Sequence, residues 1–188
     1  MLKQFLSVAT ISFVVLLSTG CTTISQYNKL DDGAIGAYSD MFFEVLENGD
    51  PAKAMMKEYK VVDDVTEEDV ASSIKDLAEE HNMMLTGDVK MFTEKDAKAD
   101  EVKHARIFSL CSLPIAKKFL NYSRFFGGFM PCRIIFVEYG NGDRYLVTMD
   151  LTLAVHGGRP LPAEMLELAE SVRTAMTEIP KLSASGDF

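Results

Sequence analysis

Between Met130 and Asp150 the side chains follow the period of extended backbone. Tyr145, Val147 and Met149 alternate with Arg144, Leu146 and Thr148, as in a strand with two unlike faces. Ile134 to Val137 is apolar without a break, which predicts a strand covered on both faces. Gly140-Asn141-Gly142-Asp143 divides the two runs. Asn-Gly supplies the positive φ angles of a tight hairpin turn, and Pro131 cannot donate to a ladder, so the first strand begins just after it.

Elsewhere the period lengthens to that of a helix. Tyr38, Met41, Phe42, Val45 and Leu46 mark a helix over 34–47, stopped by Asn48-Gly49-Asp50-Pro51. Val70, Ile74, Leu77, Ala78 and His81 mark another over 67–80, opened by Thr66, with Asp69 short for a full capping box. Pro114 opens a short helix through Asn121. Met165, Leu168, Ala169, Val172, Met176 and Ile179 line a last helix that Pro162 opens and Pro180 ends. Strands are expected over 56–62, 83–92 and 104–110, with charged residues 93–103 as an exposed loop.

After the first helix the order is β-α-β-β-α-β-β-α, which argues for an α+β domain. A mostly antiparallel sheet of about five strands would carry its helices on one face. The divisions are a leader at 1–20, a tether at 21–33, an N-terminal helix at 34–50, one domain at 51–182 and a polar tail at 183–188.

The leader changes the picture of where the chain works. Lys3 precedes an apolar run from Phe5 to Leu17, nearer thirteen residues than the roughly 20 a membrane span needs. Ser18-Thr19-Gly20-Cys21 resembles the lipobox of bacterial lipoproteins, with Leu17 one place further from the cysteine than usual. The resemblance implies cleavage before Cys21, lipid on Cys21 and a periplasmic domain held at a membrane. Thr22 is not the aspartate associated with inner-membrane retention, which favours the outer membrane.

The formal charge of the 188-residue chain is −9, and losing residues 1–20 removes only Lys3 among charged residues, leaving −10. Such a chain is a poor partner for nucleic acid and for anionic lipid heads. Cys111 and Cys132 remain as one pair. They could form a disulfide, stay as buried thiols, or bind a ligand; no Cys-x-x-Cys spacing points to a redox or zinc centre.

Phe108-Ser109-Leu110-Cys111-Ser112-Leu113-Pro114, Lys117-Lys118-Phe119-Leu120 and Phe129-Met130-Pro131-Cys132-Arg133-Ile134-Ile135-Phe136-Val137-Glu138-Tyr139 resemble segments of the domain of unknown function 302 family. So do the Asp150-Leu151 loop and the final helix, and the resemblance covers roughly residues 56–180. It implies an α+β domain of the TATA-box-binding-protein-like type, without implying DNA binding, and it brings no settled activity.

Candidate chemistry gathers around Tyr122 to Met130, an aromatic segment with two glycines. A segment this apolar covers a core, closes a hydrophobic pocket or meets a partner. Cys111, Phe126, Phe129, Met130, Cys132, Arg133 and His156 form the candidate ligand-binding set, and His104, His156 and Met130 are the candidate metal ligands. Soft ligation of a flat cofactor such as haem is conceivable there, although the Cys-x-x-Cys-His attachment motif is absent. No Gly-x-Ser-x-Gly elbow and no phosphate-cradling glycine loop is present. The reading is a lipid-anchored periplasmic binding or accessory protein without catalysis of its own, associating as a homodimer. The alternative is a haem, soft-metal or redox protein using Cys111, Cys132, Met130 or His156.

Overall fold

The computed structural model describes residues 25–188. The leader, Cys21 and the start of the tether lie outside the described residues. In chain order the elements are α1 (Ala34–Asn48), a 3-10 turn (Lys53–Met55), β1 (Met56–Lys60), α2 (Glu67–Glu80), β2 (Met84–Thr93), β3 (Val102–Cys111), α3 (Leu113–Tyr122), a 3-10 turn (Arg124–Phe129), β4 (Cys132–Tyr139), β5 (Arg144–Met149), α4 (Thr152–His156) and α5 (Ala163–Ser185). The five strands form one sheet in the order β1-β5-β4-β3-β2, with every neighbour antiparallel. This is the α+β architecture expected.

Strand alternation sorts the side chains. Phe108, Leu110, Ile134, Phe136 and Leu146 are fully buried against Val70, Ile74 and Leu77 of α2 and Ala175, Met176 and Ile179 of α5. Ile135 and Val137 are only half-buried, so β4 is covered by helices on one face and not on both. Its unbroken apolar run reflects instead an open face that is itself apolar. Val89, Ile107, Ile135 and Val147 are direct cross-strand partners in turn, forming an apolar row across four strands.

Helix α2 starts in a complete capping box. Thr66 N–H donates to Asp69 Oδ2 at 2.9 Å and Asp69 N–H donates to Thr66 Oγ1 at 3.1 Å, so the shorter aspartate completes the box in place of the usual glutamate. Helix α5 runs through Pro180 to Gly186 in the left-handed conformation, instead of ending at the proline. Proline costs a helix one hydrogen bond, but here its ring is fully buried, and Ser183 and Ala184 beyond it join the core. Residues 183–185 are therefore helix, not tail.

The hairpin tip differs from the expected turn in one respect: only Gly142 has positive φ, at 89°. Gly140 is required for another reason. Its N–H donates to the Glu101 carbonyl at 3.0 Å, and a Cβ there would lie 2.1 Å from the Lys98 carbonyl oxygen. The tip is thus docked on the charged 94–101 loop.

The N-terminal helix is fastened to the domain. Asp31 N–H donates to the Gly158 carbonyl at 2.8 Å and Tyr38 Oη donates to the Gly157 carbonyl at 2.9 Å. Helix α1 rests on the first 3-10 turn and on α4, beside the β1 edge of the sheet.

Candidate functional site

The antiparallel pairing of β3 and β4 places Leu110 opposite Cys132, next to Cys111 at the end of β3. Pro114 then turns the chain into α3, whose Ile115 and Phe119 lie one helical turn apart on one side. The chain returns through the Arg124–Phe129 turn and enters β4 after Pro131. Between these pieces, α4 and α5 lies a cavity of about 70 Å³, lined by Met83, Leu110, Cys111, Ser112, Ile115, Phe119, Phe126, Phe129, Met130, Cys132, Val155 and Val172, among others.

Ser112 carries the one hydroxyl among these walls. Phe126 forms the cover. Its ring meets Phe119 edge-on at 4.9 Å between centroids, with Tyr122 at 6.1 Å and Phe129 at 6.2 Å. Phe119, Val155, Leu161 and Ala169 make a small second core behind it. Four sulfur side chains, Met83, Cys111, Met130 and Cys132, line the same space.

Both cysteines are free thiols. Burial pushes Cys111 above the usual thiol range, and burial followed by the neighbouring Cys111 pushes Cys132 up to about 11. At neutral pH both are therefore neutral and weakly nucleophilic. They are soft donors, not reactive thiolates.

Of the candidate residues, the fold brings together Cys111, Phe126, Phe129, Met130 and Cys132. Arg133 points to the other side of the sheet, into a shallow groove with Met56, Ile107 and Ile135, because neighbours along a strand face opposite ways. His156 sits beside Val155 but turns away from the cavity. Its Nδ1 lies 3.2 Å from Asp31 Oδ1 and its Nε2 2.8 Å from Glu170 Oε1. Burial raises the Glu170 carboxyl, but hydrogen bonds from Arg173 and His156 leave it below the usual carboxylate range. His156 thus joins the tether, α4 and α5.

His104 is buried elsewhere, on β3. Its Nδ1 lies 2.9 Å from the Phe92 carbonyl oxygen and its Nε2 3.3 Å from Glu67 Oε2. The three candidate metal ligands, His104, His156 and Met130, are in three separate places, and among the described residues no cluster of three or more His, Cys, Asp or Glu is placed to hold a metal ion. Sequence reasoning missed Met83, Ile115, Phe119, Val155 and Val172. The i, i+4 spacing of Ile115 and Phe119 was the one signal that could have marked part of this set.

The family profile described as "Domain of unknown function DUF302" matches residues 58–179. The chain belongs to the DUF302 family. A solved structure of an uncharacterized conserved DUF302 protein from Bacillus stearothermophilus is similar over 67% of this chain and 95% of its own, with 10% identity and a TM-score of 0.50. That likeness concerns the fold alone. No curated protein matches the chain. The DUF302 match contains the cavity, the sheet apart from the first two residues of β1, and most of α5, and α1 lies before it.

Proposed function

We propose that this DUF302 protein is a lipid-anchored periplasmic binding or accessory protein, with its ligand site in the cavity at the β3–β4 end of the sheet. The observation that carries the reading is the wall itself, apolar and sulfur-rich, closed by the Phe126 cluster and bearing no charged side chain. Such a wall selects a small apolar molecule, because burying an unpaired polar group costs several kcal/mol. Sites that enclose drug-sized ligands are roughly 300–1,000 Å³. A cavity of 70 Å³ therefore takes a larger ligand only when the Phe126 cover moves aside.

The lipobox at Ser18-Thr19-Gly20-Cys21 supports anchoring through Cys21, and Thr22 supports the outer membrane. The acidic balance supports no nucleic-acid partner. The test is a native mass spectrum of the full chain exported with its own leader. Expected are lipid on Cys21 and a retained apolar adduct that is lost in Phe126→Ala. Turnover of substrates in a broad hydrolase and oxidoreductase screen would overturn the non-catalytic reading.

A soft-metal site is the second reading, favoured by the four sulfur atoms around one cavity. Two neutral thiols and two thioethers suit Cu(I), which would displace the thiol protons. Haem has less support, since no histidine faces the cavity and its volume is far below a macrocycle's. Equilibrium dialysis against Cu(I) tests the metal reading. Uptake that survives the Cys111→Ser, Cys132→Ser double variant would count against it.

The apolar row Val89, Ile107, Ile135 and Val147 on the open face supports self-association as a homodimer. A strictly monomeric mass in sedimentation at high micromolar concentration would remove it.

A further inference from the structure

Helix α1 carries more apolar surface than the domain covers. Ala34, Met41 and Val45, at i, i+7 and i+11, form the seam that faces the domain, with Ala34 fully buried and the other two half-buried. A second stripe stands outward at i, i+7, i+8 and i+11: Ile35, Phe42, Phe43 and Leu46. Phe42 is 57% exposed, and Phe43 and Leu46 are each 63% exposed. The charged residues Asp40, Glu44 and Glu47 lie on the remaining flank, and the helix contains no Lys or Arg.

We infer that α1 lies in the interface of a phospholipid bilayer with this outward stripe buried among the lipids, an inference that rests on the reading of Cys21 as the lipidated residue. Three observations choose a bilayer as the occupant. First, twelve residues separate Cys21 from Ala34, a stretch of at most about 40 Å. Asp31, near its end, is pinned by His156 and Gly158, so a lipid on Cys21 holds α1 near the membrane wherever the domain turns. Second, α1 has fifteen residues and is about 22 Å long, too short to cross a hydrocarbon layer of about 30 Å but suited to lie along it. Third, an acidic chain has no polybasic patch to add to the lipid on Cys21, whereas exposed Phe and Leu side chains add buried apolar area.

The chemistry makes this contact unusual among interfacial helices, which draw on Lys and Arg to bind anionic lipids. Here attraction comes from apolar area alone, with the acidic flank turned up toward water. The contact is therefore with neutral phospholipid, and salt does not screen it.

The chain contains no Trp, so one introduced indole reports its own surroundings. Full-length protein carrying Phe42→Trp, exported with its own leader, is reconstituted into phosphatidylethanolamine–phosphatidylcholine vesicles with acyl chains brominated near the headgroup. A second protein carries Lys75→Trp on the exposed side of α2. Expected for Phe42→Trp is a blue-shifted emission quenched about twofold by the brominated lipid, equally at low and high salt, while Lys75→Trp keeps a water-like, unquenched emission.

A water-like, unquenched indole at position 42 overturns the inference. So does a blue shift without quenching, which would mean that a second copy or another protein covers the stripe. The mass of the Cys21 peptide separates the two readings. Lipid on Cys21 with an unquenched indole leaves the anchor standing and removes the helix contact. A bare Cys21 with an indole quenched by added vesicles removes the anchor and keeps the helix contact.

Discussion

Cys132 stands opposite Leu110 in the β3–β4 ladder, so its thiol shares Leu110's side of the sheet and meets the cavity that Cys111 also lines. Burial holds Cys132 protonated up to about pH 11, whereas an unfolded chain releases the proton near pH 9. Between those values the folded state binds the extra proton, so stability falls as pH rises through the window. Denaturant unfolding at pH 8 and pH 11 should show a loss on the order of 2 to 3 kcal/mol beyond that of Cys132→Ala. An identical loss in both proteins would mean that the thiol is not held neutral. At pH 7, iodoacetamide should label Cys132 only slowly in the native protein.

Arg106 clamps β2, β3 and α2 together. Its Nε and Nη2 donate to Asp88 at 2.7 Å each, and its Nη1 donates to Glu67 at 2.8 Å. The Arg106 hydrogen bonds hold Asp88 below the usual carboxylate range. Burial opposes this at Glu67, but Arg106, Lys90 and His104 outweigh it. Carboxylates with lowered folded pKa stabilise above their unfolded values, and that stability is lost as pH falls through the folded ones. Arg106→Leu leaves the exposed Asp88 without its guanidinium and the half-buried Glu67 with only Lys90 and His104, and should cost about 2 kcal/mol at pH 7, with a smaller cost at pH 3. Urea melts at the two pH values give the comparison, and an equal cost at both would assign the effect to lost packing.

The C-terminal end of α5 belongs to the core. Ser73 and Ser183 share a buried hydrogen bond at 2.8 Å, and Val62 N–H donates to the Ala184 carbonyl at 3.0 Å. Ending the chain after Leu182 should destabilise it by roughly 2 to 4 kcal/mol, through the lost burial and the unpaired Ser73. Ser73→Ala alone should cost about 1 to 2 kcal/mol, and the Ser73→Ala, Ser183→Ala pair less than twice that. A thermal melt unmoved by the truncation would show that these residues contribute nothing.

At the hairpin tip, Gly140→Ala drives a methyl group against the Lys98 carbonyl and must undock the 94–101 loop. The expected cost is about 1 to 3 kcal/mol. Amide exchange should rise at Gly140 and Asn141, whose N–H groups donate to the Glu101 and Ala99 carbonyls. Protection unchanged at both amides would refute the docking.

Part of the candidate site was legible in the chain. The aromatic run Phe125-Phe126-Gly127-Gly128-Phe129-Met130 announced a cover, and its closeness to Cys132 suggested which sulfur it covers. Cys111, nineteen residues before Met130, joins them because β3 and β4 are neighbours in an antiparallel ladder. The histidines misled. A His next to two glycines looked available for a ligand, yet His156 is occupied by Asp31, far away in sequence, and by Glu170.

Local periodicity determined the order of the five strands and of α1, α2, α3 and α5, the limits of α2 and the start of β4 after Pro131, because backbone geometry imposes periods of 2.0 and 3.6 on any buried face; α4 was missed, in a stretch that reads as a loop. It could not decide which face of β4 meets the helices, since Ile134 to Val137 is apolar on both. Nor could it show that α5 passes Pro180, because burial of residues 180, 183 and 184 against α2 and the Val62 segment compensates a local penalty. The cavity, the inward and outward stripes of α1 and the pairing of Cys132 with Leu110 depend on contacts between residues far apart in sequence. Those contacts exist only once the sheet has closed in the order β1-β5-β4-β3-β2.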